Sequence, residues 1–282
     1  MIHYRWLVVA LALSTTSLVE AQTQSPTAEQ EPQATKRESQ QRTWQIDGVS
    51  RQAIIVSPAS AKTDPTPLVF VFHGHGGNKN QVLRSYAIDK QWPEAIVVSP
   101  QGLNTPGVLT DPNGKRPGWQ SSPGAQGDRD LKFFDAMLES ILEDYKVDQQ
   151  RIYATGHSNG ASFTYLLWAV RGDTFAAVAP SSGAIRPDIR KRLSPKPAMI
   201  IAGESDPLVK FAWQSASIEF VKQLNQCSKQ PKTQGKVTQY SSHINAPLYA
   251  YVHSGGHRFE KDAVPSMVEF FQDQSKPTPI EK

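Results

Sequence analysis

The chain has 282 residues, with 30 lysines and arginines against 26 aspartates and glutamates, a formal net charge of +4. These charges are scattered and no basic stripe is interleaved with aromatics, so nothing marks a nucleic-acid surface. Cys227 is the single cysteine, which excludes a disulfide within the chain.

Residues 1–21 have the form of a secretory signal peptide. Arg5 precedes the apolar run Trp6 to Leu13, and Val19-Glu20-Ala21 is a small-x-small cleavage site before Gln22. That run is too short to cross a bilayer, which takes about 20 residues. The chain is therefore expected to be exported, with no stable membrane association once the signal is removed. Residues 22–41 are rich in Gln, Thr, Ser, Glu and Pro. They read as a disordered linker, because they bury too little apolar surface to offset their ordering entropy. The tail 274–282 reads the same way. Residues 42–273 remain, roughly 230 of them, the size of one domain.

Within that domain Thr43 to Ser57 reads as a β-hairpin turning at Asp47-Gly48. Pro67 to Phe72 and Ala95 to Val98 are continuous apolar runs, as in strands buried on both faces. Residues 128–146 have helical spacing, with Leu131, Phe134, Leu138, Ile141, Leu142 and Tyr145 on one face. A strand at Arg151 to Thr155 follows, then a sharp turn and a helix from Ala161. Further strands are expected at Phe175 to Ala179, Ala198 to Ala202 and Leu248 to Val252. Helices are expected at Ala212 to Leu224 and Val264 to Gln272. Strands alternating with helices after a hairpin predict a mostly parallel sheet covered on both faces. Ligands bind beyond the carboxyl ends of such strands.

The turn is Gly156-His157-Ser158-Asn159-Gly160. A serine hydroxyl is a weak nucleophile and needs a base beside it and a geometry that exposes it. The Gly-x-Ser-x-Gly elbow supplies the exposure. Asp206, in Gly203-Glu204-Ser205-Asp206-Pro207, follows the Ala198 strand, and His257, in Gly255-Gly256-His257, follows the Leu248 strand. The order Ser, Asp, His with each residue after its own strand predicts a triad: Ser158 as nucleophile, His257 as base and acid, Asp206 as the group that orients the imidazole. Glu204 is the competing acid. His253 and His243 read as structural or surface histidines. The tetrahedral intermediate also needs fixed N–H donors. His73-Gly74-His75-Gly76-Gly77 follows the Pro67 strand, so the backbone N–H groups of His75 and Asn159 are assigned as the oxyanion hole. A metal site in that loop would need a third ligand, and none stands nearby in sequence. This chemistry needs no cofactor and no metal.

These blocks, with Ser99-Pro100-Gln101-Gly102, Gly118-Trp119 and the run Val147 to Gly156, resemble the secreted polyhydroxybutyrate depolymerase and feruloyl esterase family of α/β-hydrolases. The resemblance covers nearly all of 42–272. It implies the α/β-hydrolase fold and the same triad and oxyanion loop. It further implies that Trp119 lines the acyl or alcohol pocket, with an aromatic packed under a loop as the alternative. Arg258-Phe259 after His257 departs from the family pattern. Cys227 looks like half of a family disulfide whose other half is missing. The expected activity is that of a monomeric, secreted serine esterase on polymer-linked esters, first the feruloyl or acetyl esters of plant polysaccharide. A polyhydroxybutyrate depolymerase is the alternative within the class, and a non-catalytic carbohydrate-binding protein the alternative outside it. Loops 103–127 and 225–247, which set the depth of the pocket, carry no readable motif.

Overall fold

The computed structural model of the chain describes Met1 and residues 36–277. The expected signal peptide and most of the expected linker lie outside these residues, as does 278–282.

In chain order the elements begin with β1 (Arg37–Ile46), β2 (Val49–Pro58), β3 (Thr66–Phe72), α1 (Lys79–Tyr86), α2 (Ile88–Gln91) and β4 (Ile96–Pro100). A small ladder, β5 (Leu103–Asn104) with β6 (Pro117–Gly118), precedes α3 (Arg129–Asp144), β7 (Val147–His157), α4 (Asn159–Arg171) and β8 (Ala177–Ser181). Then come α5 (Pro187–Arg190), β9 (Ala198–Gly203), α6 (Phe211–Leu224), β10 (Lys232–Gln234), β11 (Val237–Tyr240), β12 (Leu248–His253) and α7 (Val264–Gln272). Ten strands form one sheet in the order β1-β2-β4-β3-β7-β8-β9-β12-β11-β10. The pairs from β4 through β12 are parallel, and the pairs outside them, β1–β2, β2–β4, β12–β11 and β11–β10, are antiparallel. Among the described residues no helix is long and apolar enough to cross a membrane.

The apolar runs explain the layering. Side chains alternate along a strand, so Leu68, Phe70 and Phe72 of β3 pack against α3 and α4 through Phe134 and Phe163. Val69 and Val71 join the opposite core with Val82 and Tyr86 of α1 and Phe271 of α7. All seven residues of β3 are buried, as a strand covered on both faces requires.

The domain is longer than expected at both ends. β1 starts at Arg37, so residues 37–41 belong to the sheet and not to a linker. Each pairs with a residue of β2, and β2 in turn carries the buried Ile55 and Val56 into the core. The tail is also fixed as far as Lys276. The Tyr153 hydroxyl donates to the Gln274 carbonyl at 2.6 Å, and the Lys276 N–H donates to the Gln150 carbonyl at 3.0 Å. The hairpin turn falls at Asp47-Gly48 as expected, with both φ angles positive at 50° and 78°. The loop 225–247 holds a second hairpin, β10–β11, turned at Gly235 with φ 59°.

One buried charge pair supports the site from behind. Arg51 and Asp130 meet at 2.7 Å with side chains 1% and 0% exposed. The second Asp130 oxygen accepts the Gln120 N–H at 2.8 Å, and the Arg51 guanidinium lies 4.3 Å from the Phe133 ring. This pair ties β2, the start of α3 and the segment after Trp119 together. Removing one member of such a pair strands a charge in the interior. Asp130→Ala is expected to lower stability by about 3–5 kcal/mol, measured by chemical denaturation. A change below about 1 kcal/mol would show that water reaches Arg51 freely.

Candidate active site

Four of the five neighbouring strands β3-β7-β8-β9-β12 deliver the site at their carboxyl ends. The His73–Gly77 loop follows β3, Ser158 follows β7, Asp206 follows β9 and His257 follows β12.

Ser158 stands between β7 and α4 with φ 57° and ψ −115°, a conformation costly for a residue with a Cβ. The surroundings impose it. A Cβ on Gly156 would lie 2.5 Å from the Gly160 carbonyl carbon, and one on Gly160 would collide with the Phe72 carbonyl oxygen. Both glycines let β7, α4 and the end of β3 approach closely, which is why the turn needs them. The Ser158 N–H donates to the Ser181 carbonyl at 2.9 Å, pinning the elbow to the end of β8.

The side chains of the expected triad meet. His257 Nε2 lies 2.7 Å from Ser158 Oγ, and His257 Nδ1 lies 2.7 Å from Asp206 Oδ2. A carboxylate only accepts, so the proton sits on Nδ1 and Nε2 is free to accept from the serine hydroxyl. Asp206 is fully buried and held on all sides. Its Oδ1 accepts the N–H groups of Leu208 and Val209, both at 2.9 Å, and its Oδ2 also accepts from Gln214 Nε2 at 3.1 Å. Gln214 comes from the buried side of α6, and its role had no signal in the sequence. Glu204, the competing acid, is exposed. His253 is buried at the end of β12, 3.3 Å from Glu260, and His243 is exposed, so neither joins the site.

The assigned oxyanion donors are placed by two clamps. Neither the His75 nor the Asn159 backbone N–H donates to another protein group among the described residues. The Asn159 side chain grips the Trp119 backbone at both ends, accepting its N–H at 2.6 Å and donating to its carbonyl at 3.0 Å. The His75 ring donates to Asp111 at 3.1 Å and is enclosed by Gly107 and Gly118. A Cβ on Gly118 would lie 2.6 Å from its Nδ1. The loop between β5 and β6 thus folds over His75 through a contact that its sequence did not announce.

Trp119 does not line the pocket. It is 1% exposed, stacks on Phe163 at 5.3 Å and donates its indole N–H to the His73 carbonyl at 2.9 Å. The large apolar ring and the single donor are both satisfied inside, so the residue supports the oxyanion loop from below. His73 does the same from the side. Its Nδ1 donates to the Gly74 carbonyl at 2.7 Å, and its Nε2 accepts the Gly102 N–H at 2.9 Å.

Two clefts share His75 and His257 in their walls. A smaller one of about 160 Å³ contains Ser158 and Asn159, with Val108, Leu109 and Leu208 around it. A larger one of about 390 Å³ contains His157, Phe259, Arg258 and Lys261. Among the described residues no group of three His, Cys, Asp or Glu side chains is placed to hold a metal ion. Cys227 has no cysteine partner, and an isolated backbone bridge to Ser242 holds its segment.

No protein-family model matches the chain. It is 30% identical over 147 residues to a probable feruloyl esterase C of Aspergillus flavus, covering 52% of this chain and 51% of that protein. The chain thus spans about half the length of the curated relatives it matches. The solved structure of a ferulic acid esterase superposes with TM-score 0.61 at 15% identity, covering 85% of this chain and 98% of its own. An acetyl xylan esterase from Aspergillus awamori superposes with TM-score 0.63 at 14% identity, covering 82% and 99%. The chain has the α/β-hydrolase fold. The resemblance drawn from its motifs holds, since feruloyl esterases stand among its relatives.

Two histidines around the site are held neutral. Burial pulls His73 down to about 4. Burial, and then the neighbouring His257 with rings 5.0 Å apart, pulls His157 down to about 3. Both folded values lie below the ordinary 6.5, so the unfolded chain binds more protons between about pH 6.5 and 4. Stability is fully present above that window and is lost as pH falls through it. The loss from His73 alone is expected to be on the order of 2–3 kcal/mol. Thermal unfolding followed from pH 7 to pH 4 checks this. His73→Gln should start less stable but show a shallower acid slope, and an unchanged slope would contradict the assignment.

Proposed function

We propose that this chain is a serine carboxylic-ester hydrolase working through an acyl-enzyme. The hydrogen-bonded chain from Ser158 Oγ through His257 to Asp206, 2.7 Å at each link, carries the reading. Ser158 Oγ attacks the ester carbonyl carbon while His257 Nε2 takes the hydroxyl proton. Asp206, anchored by Leu208, Val209 and Gln214, stabilises the imidazolium and keeps its Nδ1 proton in place. The His75 and Asn159 N–H groups receive the charge on the carbonyl oxygen. Collapse of the intermediate breaks the bond to the alcohol, which leaves with the proton from His257. Water then repeats the sequence on the acyl-serine and frees the acid.

Feruloyl or acetyl esters of plant polysaccharide are the proposed substrates. The feruloyl esterase relatives and the acetyl xylan esterase fold neighbour support that choice. The protein is proposed to be exported after cleavage at Ala21, so that N-terminal sequencing of mature material reads from Gln22.

Ser158→Ala should lower turnover of p-nitrophenyl acetate by on the order of 10⁴-fold or more, with the melting temperature close to that of the parent. Near-normal turnover by that variant would remove Ser158 from the mechanism. Across methyl ferulate, acetylated xylan and short hydroxybutyrate oligomers, the first two are expected to be cleaved. Activity on the oligomers alone would reverse the substrate assignment.

A further inference from the structure

The two clefts divide the ester between them, and this division rests on the ester-hydrolase reading above. The acyl carbon must bond to Ser158 Oγ, with its oxygen against the Asn159 N–H. The cleft that contains both residues therefore takes the acyl group, and its exposed apolar rim of Val108 and Leu109 suits one. The alcohol oxygen must face His257, which returns the proton. The larger cleft contains His257 and not Ser158, which makes it the alcohol side.

The lining of that larger cleft is distinctive. Phe259 is half-buried there, its ring stacked 3.7 Å from Tyr86. The His157 ring borders the cleft and, among the described residues, makes no hydrogen bond. Arg258 and Lys261 supply two cations, and the lining contains no carboxylate. Among the described residues neither cation is ion-paired, whereas Arg186 of the smaller cleft is occupied by Asp188 at 3.2 Å. An aromatic face and an unspent imidazole suit the C–H face and hydroxyls of a sugar ring. Unpaired cations in a concave, acid-free wall concentrate anions.

We propose that the larger cleft binds the alcohol portion of the substrate and that this portion is a carboxylate-bearing sugar chain of the uronate type. The test compares one acyl group carried on galacturonate oligosaccharides and on neutral arabinoxylan oligosaccharides, using the full chain. At an ionic strength of about 0.01 M, kcat/KM should favour the acidic substrate about tenfold, and the preference should fall toward one at about 0.5 M. Arg258→Gln combined with Lys261→Gln should lower the acidic-to-neutral ratio about tenfold, mainly through KM. A wild-type ratio near one at low salt would overturn the proposal without any variant. So would a ratio that the double substitution leaves unmoved. Turnover of p-nitrophenyl acetate separates the two readings: turnover with no acidic preference overturns the uronate assignment alone, and no turnover overturns the ester hydrolase itself.

Discussion

The tight turn at Ser158 is the constraint on which the rest of the site depends. A residue at φ 57° and ψ −115° does not stay there unaided. It stays because β3, β7, β8 and α4 leave no other path: Gly156 and Gly160 let three backbones meet, and the Ser158 N–H is spent on Ser181. Once the turn is fixed, two outcomes follow from geometry. The hydroxyl stands clear of the sheet, and the next residue presents an unspent N–H at the start of a helix. The remaining parts of the site are arranged around that point. Asp206 and His257 come from β9 and β12, and each is held by its own loop.

The oxyanion side shows how a flexible-looking segment is made rigid. Six glycines lie between His73 and Gly118, and loops of that composition move freely unless tied. Here each tie is a named side chain. His73 bonds to Gly102, His75 to Asp111, Trp119 to the His73 carbonyl, and Asn159 to both backbone groups of Trp119. Preorganised donors act without reorganising during the reaction, and that is where their value lies. The neutrality of His157 belongs to the same design, since a charge there would compete with His257 for the electrostatic stabilisation Asp206 supplies.

Much of this was legible in the residues. Buried parallel strands announce themselves as unbroken apolar runs, and Leu68 to Phe72 is one. The elbow carries its own glycines. The order of Ser158, Asp206 and His257 needed only the strands before them. What escaped was whatever depended on partners distant in sequence. The polarity of Arg37 to Gln41 matched a linker, yet β-pairing asks for backbone and not for apolar side chains, so an edge strand hid there. The β10–β11 hairpin is short and polar, and its Gly235 stood alone as a signal. Trp119 read as pocket or core with equal ease, because sequence does not show whether an indole N–H finds a buried acceptor. Gln214 and Asp111 are ordinary polar residues until the fold puts a carboxylate or an imidazole beside them.

The two rims of the sheet carry a last consequence. β1 is mostly exposed and reads Arg-Glu-Ser-Gln-Gln-Arg, and β10 is three exposed residues long, beginning with Lys232. Among the described residues no strand pairs with the outer side of either. Charged or very short margins are poor templates for a foreign strand. Margins of this kind keep extended chains from adding to the sheet, leaving the clefts at the strand ends as the places where contact is rewarded.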